Sequence, residues 1–141
     1  MLIFPLKKEW YEKIRSGEKR IEYREVKPYW MRRLRSGTRD NFDITKIGYF
    51  YTFATGFLPK CVLRLGYTKR QMTAEITKIE VVDGKYTDLR VDKPVYAIHL
   101  ANVREIVQCP HCEGCGLMLG DGLGVMECPW CGGDGQWEEE I

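Results

Sequence analysis

Apolar positions recur along the first hundred residues in two periods. LIFPL (2–6) is a short, nearly continuous apolar run and reads as a buried strand. Leu6, Trp10 and Ile14 then fall at four-residue steps, which puts one apolar stripe on a short helix across KKEWYEKIRSG (7–17). Gly17 stands where the residue after a helix adopts the left-handed conformation. KRIEYREV (19–26) alternates with a period of two, placing Ile21 and Tyr23 on one face and Arg20, Glu22 and Arg24 on the other. PYWMRRLRSG (28–37) opens with Pro28 in a first-turn position and closes on Gly37, the marks of a second short helix. TRDNFD (38–43) reads as loop. Beyond it, KIGYFYTF (46–53), KCVLRLGY (60–67), QMTAEITKIEVV (71–82) and PVYAIHLANV (94–103) are rich in β-branched and aromatic residues. Gly56–Pro59, Gly66 and Asp83–Gly84 punctuate them. Two early helices and several closely spaced strands predict a mainly β (α+β) domain, a small, partly closed β-barrel with short flanking helices.

At 141 residues and 44% hydrophobic, the chain can bury one core and carry a small appendage. It has no apolar run long enough for a transmembrane helix, so no membrane partner is expected. MLIFPL lacks a basic leading region and is broken by Pro5, so no signal peptide is expected and the location expected is cytoplasmic. Charge divides the chain near Gln108. All 22 Lys and Arg and 13 of the 20 acidic residues lie in residues 1–108, a net of +9, while residues 109–141 hold the other seven acids and five of the six cysteines. The reading is a basic body (1–108) and an acidic, cysteine-rich module (109–141). A basic body suits a phosphate-rich partner, although solubility alone also explains it.

The module repeats itself. CPHCEGCG (109–116) and CPWCGGDG (128–135) both follow C-x-x-C-x-G-x-G, and Cys112 and Cys128 are separated by fifteen residues. Four thiolates from two such knuckles can close a tetrahedron around one structural Zn2+, with Cys109, Cys112, Cys128 and Cys131 as ligands. Gly114 and Gly133 are placed for the positive φ that lets backbone N–H groups turn toward the sulfurs. So few apolar residues lie in 109–135 that the segment is expected to need metal to fold. Disulfides are the alternative, disfavoured in a reducing compartment. Cys115 reads as a spectator, His111 as exposed, and Cys61 as a small buried hydrophobe. The repeat resembles the cysteine-rich zinc modules of DnaJ-type cochaperones, two of whose four half-motifs it contains. That resemblance implies one zinc and does not imply chaperone activity.

The charged strand carries the other chemistry. SGEKRIEYR (16–24) holds five charges and two apolar side chains, the composition either of a solvated strand edge or of the floor of an anion site. Its residues Gly17, Lys19, Glu22 and Arg24 resemble the G-x-K-x-x-E-x-R signature of ASCH domains, whose PUA-like fold is related to RNA-binding PUA modules. The preceding strand and helix, KPYWMRRL, and the late strand VYAIHLANV agree with it. The resemblance implies a β-barrel with a cleft beside this strand, where Lys19, Glu22 and Arg24 gather. There Arg24 would orient Glu22 and keep it ionised, leaving Lys19 free for a phosphate or a carbonyl.

The leading reading is a module that binds RNA or a nucleotide, with Lys19, Glu22, Arg24, Tyr29, Arg32 and Arg33 as ligand-binding residues. Arg32, Arg33 and Arg35 beside Tyr29 and Trp30 combine phosphate contacts with base stacking, while Trp30 and Leu34 also suit packing of their helix on the barrel. The runner-up follows relatives that hydrolyse acetylated cytidine through a lysine, a nucleophilic threonine and a distal glutamate. Here Glu22 occupies the threonine position, and Glu75, or else Glu80, would be the distal acid, so catalysis by Lys19, Glu22 and Glu75 stays open. His99 reads as a satisfied core residue. A third reading is an adaptor that meets a protein partner through the acidic zinc tail.

Overall fold

The computed structural model describes residues 2–54, 56–68, 70–108, 117–119, 125–127 and 136–140. Its element order is β1 (Leu2–Leu6), α1 (Lys8–Arg15), β2 (Ile21–Glu25), α2 (Pro28–Thr38), β3 (Phe50–Thr52), β4 (Lys60–Leu65), β5 (Gln71–Asp83), β6 (Pro94–Gln108), β7 (Leu117–Leu119), β8 (Val125–Glu127) and β9 (Gln136–Glu140). The architecture is mainly β: a curled, half-barrel sheet with two short helices. No helix among the described residues is long and apolar enough to cross a membrane.

The long antiparallel pair β5–β6 forms the spine. Along the far edge of β5 lie β4, opposite residues 71–75, and β3, opposite 78–80. Along the far edge of β6 lie β2, opposite 95–99, and β9, opposite 104–108. β1 closes the row by pairing parallel to β4. Two register shifts bend the spine, between Thr73 and Glu75 and between Ile76 and Lys78. Such bulges advance the alternation by one residue. They let Met72, Ala74 and Ile76, and then Ile79 and Val81, all enter the core, where Tyr96, Ile98 and Leu100 of β6 join them. The first of these shifts places its extra residue on β6 at Asn102, whose φ is 50°, and after it Val103 and Glu105 are the buried residues.

The helices cover the core. α1 buries Tyr11 and Ile14, while Trp10 stays half-exposed, so the buried stripe is one position from that of the spacing Leu6–Trp10–Ile14. Gly17 ends this turn at φ 88°, as its place in the sequence predicts. α2 begins at Pro28 and buries Leu34, and its Trp30 stacks on Phe4 at 5.7 Å. Gly37 does not end α2. The helix runs to Thr38, Arg39 takes the left-handed cap, and a Cβ on Gly37 would lie 2.6 Å from the Leu2 Cβ. The glycine is there for close packing of α2 on β1.

The tail returns to the body. Gln108 of β6 and Gln136 of β9 are partners on one rung, so the chain leaves the sheet and rejoins it at the same place. Between them β7 and β8 pair as a hairpin, with Leu117 opposite Glu127. Cys109, Cys112, Cys128 and Cys131 lie outside the described residues, as do His111 and Cys115. Among the described residues no group of three or more His, Cys, Asp or Glu is arranged to hold a metal.

Candidate functional site

β2 is turned with its charged face inward. Glu22 pairs across to Ile98, which pairs on to Ile79, and both isoleucines are fully buried. Glu22 itself is only 5% exposed, whereas Ile21 and Tyr23, its apolar neighbours, are half-buried on the other face. The strand is therefore not a solvated edge. One oxygen of Glu22, Oε1, accepts a hydrogen bond from the Tyr23 backbone N–H at 3.1 Å. The other, Oε2, is buried with no hydrogen-bond partner among the described residues. Burial pushes the Glu22 carboxyl above the ordinary carboxylate range, and the nearby charges of Lys19 and Arg24 offset this only in part.

Arg24 sits 3.9 Å from Glu22 Oε1 and donates to the Pro5 carbonyl at 3.1 Å. Its guanidinium lies over the rings of Trp30 and Phe4, 4.8 and 5.3 Å from their centroids. This arrangement is one of cation–π contact rather than of a tight ion pair. Lys19 is not free either. Its ammonium donates to Asp88 at 2.6 Å and stands 4.7 Å from the Trp10 ring and 5.4 Å from that of Tyr23, with a side chain only 10% exposed.

Asp88 comes from the loop between β5 and β6. Gly84 folds that loop back: its N–H donates to Lys93 O at 2.8 Å, its carbonyl accepts from Val91 N–H at 3.2 Å, and a Cβ there would come within 2.7 Å of both backbones. The loop tip is held by the Asp88–Lys19 bridge to the segment that follows α1. Three cavities meet at the Lys19–Asp88 bridge, all of them lined by Asp88. One of about 230 Å³ reaches Glu22, Arg24, Trp10 and Tyr23. One of about 310 Å³ is bordered by Lys13 and Arg20, and one of about 640 Å³ by Lys85, Tyr86 and Arg90. Arg20 and Arg90 have no carboxylate within ion-pair distance among the described residues, and Lys13 meets Glu9 at 3.8 Å and stands 5.0 Å from the Trp10 ring. The result is a cleft with aromatic walls, a floor of paired charges and a rim on which Lys13, Arg20, Lys85 and Arg90 outnumber Glu9 and Glu18.

Lys19, Glu22 and Arg24 are thus brought together, and the remaining candidates are elsewhere. Tyr29, Arg32 and Arg33 lie on α2, where the Arg33 guanidinium is 5.7 Å from the Tyr29 ring and both arginines border a separate cavity of about 340 Å³. Arg35 is committed to Asp43, at 3.3 Å, and to the Phe42 carbonyl. Glu75 sits on β5 opposite Lys60 and Ala101 and lines another cavity with Asn102 and Arg104, one that includes neither Lys19 nor Glu22. Glu80 Oε1 accepts a hydrogen bond from His99 Nε2 at 2.6 Å, and the carboxylate pairs with Lys78 at 3.3 Å. Burial acts to raise the Glu80 carboxyl, but the hydrogen bonds from His99 and Lys78 outweigh it and hold the group below its usual range. His99 is half-buried in this pair rather than a core residue. Cys61 is a buried hydrophobe as read, its thiol pushed up to about 12 by burial and further by Glu22.

Three residues of the cleft escape sequence reasoning. Trp10 was assignable to the core stripe just as well as Tyr11, because both lie within a helical turn of Ile14. Tyr23 alternates away from Glu22, on the face an ordinary strand would bury. Asp88, in YTDLRVD, carries no local mark at all, since only the return of the loop brings it to Lys19. Set against protein-family models, curated proteins and solved structures, the chain matches none of them.

Proposed function

We propose that this chain is a module of the ASCH type, PUA-like in fold and cytoplasmic, that binds single-stranded RNA or a nucleotide. What supports this most is the cleft at the Lys19–Asp88 bridge, where Trp10 and Tyr23 line cavities shared with the cations of Lys13, Arg20 and Arg90. Stacking on aromatic rings and a basic groove along the backbone are the two contributions that single-strand binding combines. The phosphate contacts come from the rim and not from Lys19, whose ammonium Asp88 already neutralises. Exposed Tyr29 with Arg32 and Arg33 offers a second patch of the same kind on α2. A hydrolytic reading would need Glu75 or Glu80 beside Lys19 and Glu22; Glu75 lines a different cavity, and Glu80 is engaged by His99 and Lys78.

One structural zinc completes the proposal, held by the thiolates of Cys109, Cys112, Cys128 and Cys131. The donor set fits: four thiolates suit a closed tetrahedral site. The strands of the β7–β8 hairpin also end side by side at Leu117 and Glu127, the ends from which the two cysteine pairs continue in sequence. The metal would supply the folding energy that the tail's sparse apolar content lacks.

A salt titration tests the binding reading. Contact with four or five phosphates of a single strand gives a slope of log affinity against log salt of about −3. A flat response to salt would refute nucleic-acid binding by this body.

A further inference from the structure

A nucleotide can enter this cleft phosphate first or base first, and the charges at its floor distinguish the two. The two cations there are opposed by two carboxylates: Lys19 by Asp88 at 2.6 Å and Arg24 by Glu22 at 3.9 Å. A phosphate driven to the floor would meet Glu22 and Asp88 and gain no uncompensated cation, and like charges brought together are unfavourable. The rim differs: it carries Glu9 and Glu18, but its Arg20 and Arg90 have no carboxylate within ion-pair distance among the described residues.

The floor also holds an unused hydrogen-bond acceptor. Glu22 is 5% exposed and lines the cavity of about 230 Å³, yet its Oε2 has no partner among the described residues. The Tyr23 N–H fixes the other oxygen and so the plane of the carboxylate. An acceptor-only group buried in this way is unfavourable until a donor reaches it. The walls beside it are the rings of Trp10 and Tyr23. Flat walls, a buried acceptor and no net charge fit a nucleobase edge and do not fit a phosphate.

We infer that the cleft takes an unpaired nucleobase, base first, with an N–H of the base edge donating to the Glu22 carboxylate and the flanking phosphates resting on Arg20, Lys13 and Arg90. The inference rests on the nucleic-acid reading above. Lys19 then serves as a positioning residue, keeping Asp88 and the two rings in place around the base.

The test uses the full chain and two strands: a hexaribonucleotide containing all four bases, and a hexamer of identical phosphates with abasic spacers. Wild type is expected to bind the base-bearing strand about tenfold more tightly, the effect of one well-stacked, hydrogen-bonded base. Glu22→Gln turns the free acceptor into an amide donor, since the Tyr23 N–H keeps the amide oxygen on its own side. It is expected to narrow that tenfold gap to about threefold or less without weakening the abasic strand. Arg20→Ala is expected to weaken both strands alike. Trp10→Leu, which removes a wall and leaves the carboxylate intact, is a second variant with the same expected narrowing. Equal wild-type affinity for the two strands, or a Glu22→Gln loss shared by both, overturns base-first entry while nucleic-acid binding stands. Binding to neither strand overturns both readings.

Discussion

Glu22→Gln is expected to stabilise the protein at neutral pH, although the same change weakens its binding. Burial holds the Glu22 carboxyl above its ordinary pKa, so the folded state takes up the proton more readily than the unfolded chain does. Stability from this group is therefore fully present below the unfolded value, about 4.3, and is lost as pH rises through the folded one. A buried polar group with an unmet hydrogen bond costs about 1–3 kcal/mol and more when it is charged, and only that excess for charge is removed by the amide, which keeps the unmet position. Arg24 at 3.9 Å and the nearby Lys19 return part of that, which leaves about 1 kcal/mol for the amide to recover. For a chain of this size the gain amounts to roughly 4 °C in melting temperature. Urea unfolding of both proteins at pH 7.5 and pH 4, with equal m values, measures it. The variant should be the more stable at pH 7.5 and the difference should vanish at pH 4, where both side chains are neutral. Comparing the two chains at each pH cancels what acidification does to the rest of the molecule. A variant less stable at pH 7.5, or a difference unchanged at pH 4, would refute the view that burial dominates at Glu22.

Two further outcomes follow from other residues. Glu105, buried on β6, accepts hydrogen bonds from Arg15 of α1 and, at 3.1 Å, from Arg70 before β5. Burial acts to raise its carboxyl, but these two bonds outweigh it and hold the group below the usual range, so its stability is present above the unfolded pKa and lost as pH falls through the folded one. Glu105→Gln should destabilise by about 2 kcal/mol at pH 7, after allowing for the exposure of both arginines, and the deficit should shrink in acid melts. Cys112→Ser should release one zinc per chain in native mass spectrometry while the melt of the body persists; a wild-type protein without metal, or with two disulfides under reducing conditions, would exclude the zinc proposal.

Much of the body is legible from pattern alone. β1, α1, β2, α2, β4 and β6 begin within a residue or two of where the periods place them, because each has a clean apolar rhythm and a Gly or Pro at its end. What the pattern misses is set by tertiary contacts. Period two puts the apolar pair Ile21 and Tyr23 opposite the charged Arg20, Glu22 and Arg24 and would bury the apolar pair, whereas the structure buries the acid. The register shifts at Ile76 and at Asn102 are equally silent, and without the second one Glu105 would be read as an outward residue. Gly37 looks like a helix stop and is a contact with Leu2. Asp88 acquires its role only from a loop that Gly84 folds back toward α1.

The shared rung of Gln108 and Gln136 gives the cysteine-rich segment the character of a cassette. Entry and exit are neighbours across an antiparallel pair, so everything between them can lengthen, shorten or vanish without altering the register of a single strand in the half-barrel. Joined by a two-residue Asn-Gly turn, β6 and β9 would form an ordinary hairpin. The pairing thus leaves the body a port at which sequence can be exchanged, at the opposite end of β6 from the stretch that pairs with β2 and Glu22.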